Sequence, residues 1–374
     1  MSILSAHHAD LTALSARGRG RRLVARAGID LASNDYLGLA SAPALSAAVA
    51  DALARGVPIG SGGSRLLRGN HPEHEALEAE AAAFFGSESA LYLSSGYAAN
   101  AALFATLPQT GDLIVHDALI HASAHEGMRI GRAERRSVDH NDVDAFADAI
   151  VGWRAGGGTG RVWIAVESLY SMDGDRAPLA DLAHLAVAHD AFLLIDEAHA
   201  TGVFGRDGRG LADGFDGRDD VIVLRTCGKA LGCEGALVCA PRIVRDFLVN
   251  RARAFIFSTA PSPLMAAAVR AALRLLVTEP ARRTRLAALV AHAGLRLGPL
   301  GATITGSQIL PLILGDDRHT MQVADRLQAA GYDVRGIRPP TVPVGTARLR
   351  LSITHNLDHA ALDRLAGAMV QALA

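Results

Sequence analysis

Lys229 stands in Val221–Gly235, VIVLRTCGKALGCEG, just after an apolar β-branched run and among Gly228, Gly232 and Gly235. Its neighbours Cys227, Ala230, Leu231 and Cys233 are not the polar company of a surface lysine. An amine kept short of water gives up its proton more easily and becomes a nucleophile suited to Schiff-base chemistry. A phosphate-binding lysine, or one exposed in a glycine-rich turn, fits the same stretch, and both readings stay open at this point. Upstream, FLLIDEAH (Phe192–His199) sets Asp196 and Glu197 at the end of a buried apolar run. Open α/β sheets gather their ligands at the carboxyl ends of strands, so an acid there has a use. It suits bound magnesium or a protonated ring nitrogen. The magnesium reading requires a Gly-x-x-x-x-Gly-Lys-Ser/Thr loop, which the sequence lacks.

Other candidates are weaker taken singly. His116, His121 and His125 are spaced by five and four residues, but neither Asp117 nor Glu126 falls at helical spacing from both His121 and His125. No metal site is expected. ALYLSSGYAANAALFA (Ala90–Ala105) reads as strand, turn and helix, with Gly96 and Tyr97 where backbone N–H groups and a helix dipole would face a phosphate. IGSGGSRLLRGN (Ile59–Asn70) combines four glycines with two arginines, the composition of an anion-facing loop or of a linker. In Ala347–Ser352, Leu349 and Leu351 share one face of a strand, and Arg348 and Arg350 the other. Arg350 is then either a fixed cation for a carboxylate or part of a solvated edge.

The elements that would position these residues follow a strand–turn–helix rhythm as far as residue 260. A clear helix over His71–Phe85 ends at Gly86, and strands are expected at Asp112–Val115, Thr159–Val166 and Phe192–Ile195. Long helices at Pro261–Leu276 and Ala281–Leu297 precede a smaller α+β part, with strands at Ile309–Leu314, Tyr332–Ile337 and Arg348–Ile353. The expected organisation is an N-terminal arm (1–35), a large α/β domain (36–258) and a C-terminal α+β domain (259–374). A chain of 374 residues that is 50% hydrophobic can bury a large core, and its net charge of −1 draws it to neither nucleic acid nor anionic membrane. No apolar run approaches the ~18 residues of a membrane helix. Cys227, Cys233 and Cys239 match no zinc spacing and are odd in number, as in a reduced cytoplasmic protein.

Taken together, SNDYLGL, GSGGSRLLRGN, SGYAAN, HAS, SMDGD, IDEAHATGVFG, TCGKALG and IRPPTVPVGTARLRL resemble the α-oxoamine synthases. These are pyridoxal-5'-phosphate (PLP) enzymes of the aspartate-aminotransferase fold (fold type I), with a mostly parallel sheet in the large domain. The likeness runs from about Ile29 to the C-terminus. The IRPPTVP segment is most similar to the biotin-pathway branch, which condenses L-alanine with a pimeloyl thioester carried on coenzyme A or acyl carrier protein. The resemblance implies that Lys229 binds PLP covalently and moves protons at the substrate α-carbon. It implies further that Asp196 pairs with the pyridine nitrogen and His121 stacks on the ring. Ser171 and His199 would address the ring hydroxyl, and Gly96, Tyr97 and Thr226 the phosphate. Ser258 or Thr259 would reach the phosphate from the second subunit of a homodimer, and Thr341 and Arg350 would meet the substrate. The family has a longer N-terminal segment carrying an arginine for the acyl substrate. Here that region is compressed to LSARGRGRRLVARAG, leaving Arg17 as the candidate, and Glu234 departs from the family after the lysine loop. The rival readings are a sister synthase using glycine or serine with another acyl chain, and a non-catalytic PLP-binding sensor. A sensor should have lost His121, Thr341 and Arg350, which are present.

Overall fold

The computed structural model of the chain describes residues 3–374. The chain divides into two compact units. The larger comprises Leu37–Ser171 and Arg176–Arg283; the smaller comprises the N-terminal segment up to Tyr36, Met172–Asp175 and Thr284–Ala374. Strand β1 (Ile29–Asp30) belongs to the smaller unit.

Among the described residues, the larger unit holds a seven-stranded sheet. Its strands are β2 (Ser89–Leu93), β3 (Leu113–Asp117), β4 (Glu134–Val138), β5 (Val162–Glu167), β6 (Ala191–Asp196), β7 (Val221–Thr226) and β8 (Ala236–Ala240), in the order β2-β8-β7-β6-β5-β3-β4. Every pairing from β4 across to β7 is parallel, and β8 alone runs against its neighbours β7 and β2. Parallel strands are covered on both faces, which is why Val221–Leu224 and Val162–Val166 are continuous apolar runs rather than alternating ones. Because β2, β3, β5, β6 and β7 point the same way, their carboxyl ends share one edge. β4 was not legible in the sequence: ERRSV is an edge strand with its side chains half-buried or exposed, and it carries no apolar signal.

The helix expected over His71–Phe85 runs from Pro72 to Phe85 with His71 as its N-cap, and Gly86 closes it in the left-handed conformation at φ 78°. Pro263–Thr278, which the sequence assigned to the C-terminal part, packs on Pro43–Ala54 and Pro72–Phe85 and so lies in the larger unit. The unit boundary therefore falls after Arg283 rather than near residue 258.

In the smaller unit, β9 (Ile309–Gly315), β11 (Gly336–Ile337) and β12 (Ala347–Ser352) form an antiparallel sheet ordered β11-β12-β9, while β10 (Tyr332–Asp333) pairs in parallel with β1. Tyr332–Ile337 is thus two short strands in separate sheets, not one. The β1 pairing also places the N-terminal segment in the same unit as the C-terminal elements. No helix among the described residues is long and apolar enough to cross a membrane.

Behind the strand ends, Arg225 of β7 is fully buried. Its guanidinium donates to Asp216 at 2.7 Å, lies 3.7 Å from Glu197 and sits 3.9 Å above the Phe85 ring. A buried cation needs such partners. Glu197 accepts from the N–H groups of Leu211 (3.1 Å) and Ala212 (2.8 Å), yet its burial outweighs Arg225 and pushes the carboxyl up to about 7. A raised acid binds its proton more tightly in the folded state than in the unfolded chain. Its contribution to stability is therefore complete below the ordinary carboxyl value and is lost as pH rises toward 7. Chemical denaturation at about pH 5 and about pH 8 should show the parent losing stability across this window and Glu197→Gln losing less. An unchanged slope would mean that Glu197 does not titrate there.

Candidate active site

Asp196, the last residue of β6, is buried and held from two sides. Its Oδ1 accepts from the N–H of Ala198 at 2.9 Å, and its Oδ2 accepts from Asn100 Nδ2 at 2.8 Å. Asn100 lies on the helix Gly96–Thr106, directly after β2. Ser95 caps that helix by accepting from the N–H of Ala98 at 3.1 Å, leaving the first-turn N–H groups of Gly96 and Tyr97 outside the helical ladder. With the dipole's positive end, they make a seat for an anionic group.

Lys229 is half-buried in the loop between β7 and β8. That loop turns tightly: Gly232 has φ 64° and packs against the backbone of Leu39 and Ala40, and Gly235 has φ 96° and lies on the Tyr92 ring. A side chain at either position would displace the loop, and Lys229 with it. Across the opening, His121 caps the helix Ala122–Ile130, and its Nδ1 meets the Ser123 hydroxyl at 2.7 Å and the Ser123 N–H at 3.2 Å. Desolvation by the packed cavity wall lowers its pKa despite the Asp196 charge, and Lys229 lowers it further. His121 is therefore neutral at neutral pH although part of its surface is open to solvent.

These side chains converge on one cavity of about 130 Å³, whose wall includes Gly96, Tyr97, His121, Asp196, His199, Thr226 and Lys229. Seven of the residues singled out in the sequence are thus brought together within the larger unit. Asn100, Ser123 and Glu167 also line the cavity and were not singled out. Their signal was present: Asn100 is a polar residue on an otherwise apolar helix, and Glu167 is an acid ending an apolar strand just as Asp196 does. The Asn100 amide joins two parts of the site, since Nδ2 also donates to Ser123 Oγ at 2.9 Å and Ser123 in turn meets His121.

The remaining candidates do not line this cavity. Ser171, buried just after β5, donates its N–H to Glu167 at 3.2 Å. Ser258 and Thr259 line a separate small pocket with Arg65, Tyr92 and Ser94. In the smaller unit Arg350 is buried on the central strand β12, where it donates to Ser352 Oγ at 2.8 Å and Tyr36 Oη at 3.2 Å. Its neighbour Arg348 pairs with Asp173. The arginine face of β12 is therefore not a solvated edge. Thr341 is exposed in the preceding turn. Arg17 is exposed and donates to the carbonyl of Ala13 at 3.1 Å, whereas Arg21 and Arg22 line a cleft with Arg335 and Arg338. His116 and His125 stack edge to face at 4.9 Å, and no group of three metal-ligating side chains is placed to hold an ion among the described residues.

Residues 26–369 match the model of the class I and II aminotransferases. The chain belongs to that family. Within it, the chain is 43% identical to the 8-amino-7-oxononanoate synthase of Anaeromyxobacter dehalogenans (strain 2CP-1), over 98% of this chain and 94% of that protein. It is also 43% identical to the enzyme of that name from Geobacter sulfurreducens, over 95% and 92% of the two chains. Among solved structures it resembles a serine palmitoyltransferase from S. paucimobilis with bound PLP (TM-score 0.90, 27% identity, 100% and 98% covered). It also resembles the 8-amino-7-oxononanoate synthase of Francisella tularensis (TM-score 0.78, 27% identity, 92% and 97% covered). This member of the family is a PLP-dependent enzyme. The donor set fits that cofactor: a lysine amine, a buried carboxylate with both oxygens fixed, a neutral imidazole and free helix N–H groups share one cavity.

A charge-assisted hydrogen bond such as Asn100–Asp196 contributes roughly 1.5–3 kcal/mol. Asn100→Leu should therefore weaken PLP binding by about tenfold or more in a fluorescence titration of the cofactor-free enzyme. An unchanged dissociation constant would remove Asn100 from the support of Asp196.

Proposed function

We propose that the enzyme condenses L-alanine with a pimeloyl thioester, on coenzyme A or acyl carrier protein, to give 8-amino-7-oxononanoate, carbon dioxide and the free thiol for biotin synthesis. The observation that carries this reading is the meeting of Lys229 and Asp196 in one cavity, in a chain 43% identical along nearly its whole length to relatives bearing that name. PLP, when bound, supplies an electron sink for the charge left at the alanine α-carbon.

The protein's own groups divide the remaining work. With PLP bound, Lys229 would hold it, and the Lys229 Nζ would take the α-proton of the substrate and return one to the same carbon. Asp196 would face the ring nitrogen and keep a proton there, and its two hydrogen bonds fix both carboxyl oxygens for that purpose. His121, neutral, would lie against the ring and orient the substrate carboxylate. Ser171 and His199 address the ring hydroxyl, and Gly96, Tyr97 and Thr226 hold the phosphate. Ser258 and Thr259 act on the phosphate of the partner subunit's cofactor in a cytoplasmic homodimer, a role suited to their place outside the Lys229 cavity. Thr341 and Arg350 meet the substrates, and Arg17 the acyl chain. Burial and hydrogen bonding give Arg350 the fixed orientation that a carboxylate contact requires.

The likeness to serine palmitoyltransferase favours a second reading, a sister synthase with another amino acid and acyl chain. A product assay with alanine, glycine and serine against pimeloyl, succinyl, acetyl and palmitoyl thioesters separates the two. Alanine with pimeloyl thioester should have the highest kcat/KM. Its lead over glycine should be roughly tenfold, because one methyl group contributes only about 1 kcal/mol. A higher constant for serine with palmitoyl thioester, or for glycine with a short acyl thioester, would overturn the substrate assignment.

A further inference from the structure

The mechanism leaves one buried acid of the cavity unused. Glu167 ends β5 as Asp196 ends β6, and the two are partners in the parallel register. Paired residues on adjacent strands point to the same face about 5 Å apart, so the two carboxyls are neighbours in the cavity wall. Both are buried, Glu167 more completely. We propose that Glu167 is a positioning residue that carries the site's spare proton, so that the pair presents a single negative charge, on Asp196. This inference rests on the place of PLP in the cavity and not on which substrates are joined.

The count of hydrogen-bond donors decides which acid keeps the proton. Asp196 receives one donor on each oxygen. Glu167 receives one, the Ser171 N–H on Oε2, and its buried Oε1 has no partner among the described residues. An ionised carboxylate needs donors on both oxygens, whereas a carboxylic acid brings a proton of its own. The surrounding charges act in the same direction. Burial first, and then the Asp196 charge, push Glu167 well above the usual carboxyl range, and Asp117 at the end of β3 adds to this. Lys229 and the Ser171 N–H pull the other way and are outweighed. Asp117 stays ionised: burial opposes it, but hydrogen bonds from His140, Asn141 and Leu119 hold its pKa low. Tyr97, His121 and His199 are the other titratable side chains of the cavity, and His121 is neutral. Two full charges side by side would compete for the ring proton and repel each other; one proton shared by the pair removes the conflict.

Infrared difference spectroscopy of the holoenzyme tests this without an activity readout. At about pH 8, above the value of about 7 for Glu197, the parent minus Glu167→Gln spectrum should contain the carbonyl stretch of a protonated carboxyl. In Asp196→Asn the neighbouring charge is gone, so the pH at which this band disappears should fall by about one unit or more. The second arm compares two proteins that both retain Glu167, so it decides the matter even if Glu167→Gln does not fold. A merely structural glutamate would titrate alike in the parent and in Asp196→Asn. That result, or the absence of any protonated-carboxyl band in the parent, would overturn the proposal. Both readouts are independent of whether alanine is the substrate.

Discussion

The site depends on a carboxyl that is not free to move. Asp196 sits at the end of a buried strand, and the N–H of Ala198 and the amide of Asn100 each hold one of its oxygens. Because β6 is flanked by parallel neighbours on both sides, the carboxyl cannot shift without disturbing the middle of the sheet. Everything else in the cavity is placed relative to this point: Lys229 by the glycine-rich loop after β7, His121 by Ser123, and Ser123 by the same amide that holds Asp196.

Four acids near the carboxyl ends of the sheet show how environment separates groups of one chemistry. Asp117 receives donors from Leu119, His140 and Asn141, and Asp196 one donor on each oxygen. Glu197 receives two backbone donors and lies near Arg225, yet full burial raises it to about 7. Glu167, with one donor and an anionic neighbour, is also pushed well above its ordinary value. Glu197 and Arg225 stabilise the back of the strands, while Asp196 and Glu167 line the cavity.

Much of this was legible in the sequence because the chemistry is carried by short words on regular elements. FLLIDEAH and TCGKALG each place a functional side chain at the end of an apolar strand, and strand ends are where parallel sheets collect ligands. What was not legible depended on contacts distant in sequence. Asn100 and Asp196 are far apart along the chain, and nothing in SGYAAN alone says which carboxylate its amide meets. The register that sets Glu167 beside Asp196 is likewise a property of the sheet. The strand β4 went unread because an edge strand need not be apolar, and Tyr332–Ile337 was read as one strand because its two halves pair in different sheets. The arginine face of β12 looked like an edge until β9 and β11 were found on either side of it.

The assignment of Lys229 as the group that binds PLP covalently is the central claim, and borohydride reduction of the holoenzyme followed by peptide mapping tests it most directly. The reduced cofactor should be found on the Lys229 peptide alone, with the visible absorbance of the yellow protein lost in parallel. A label on any other residue, or a yellow protein that borohydride bleaches without labelling Lys229, would contradict the account.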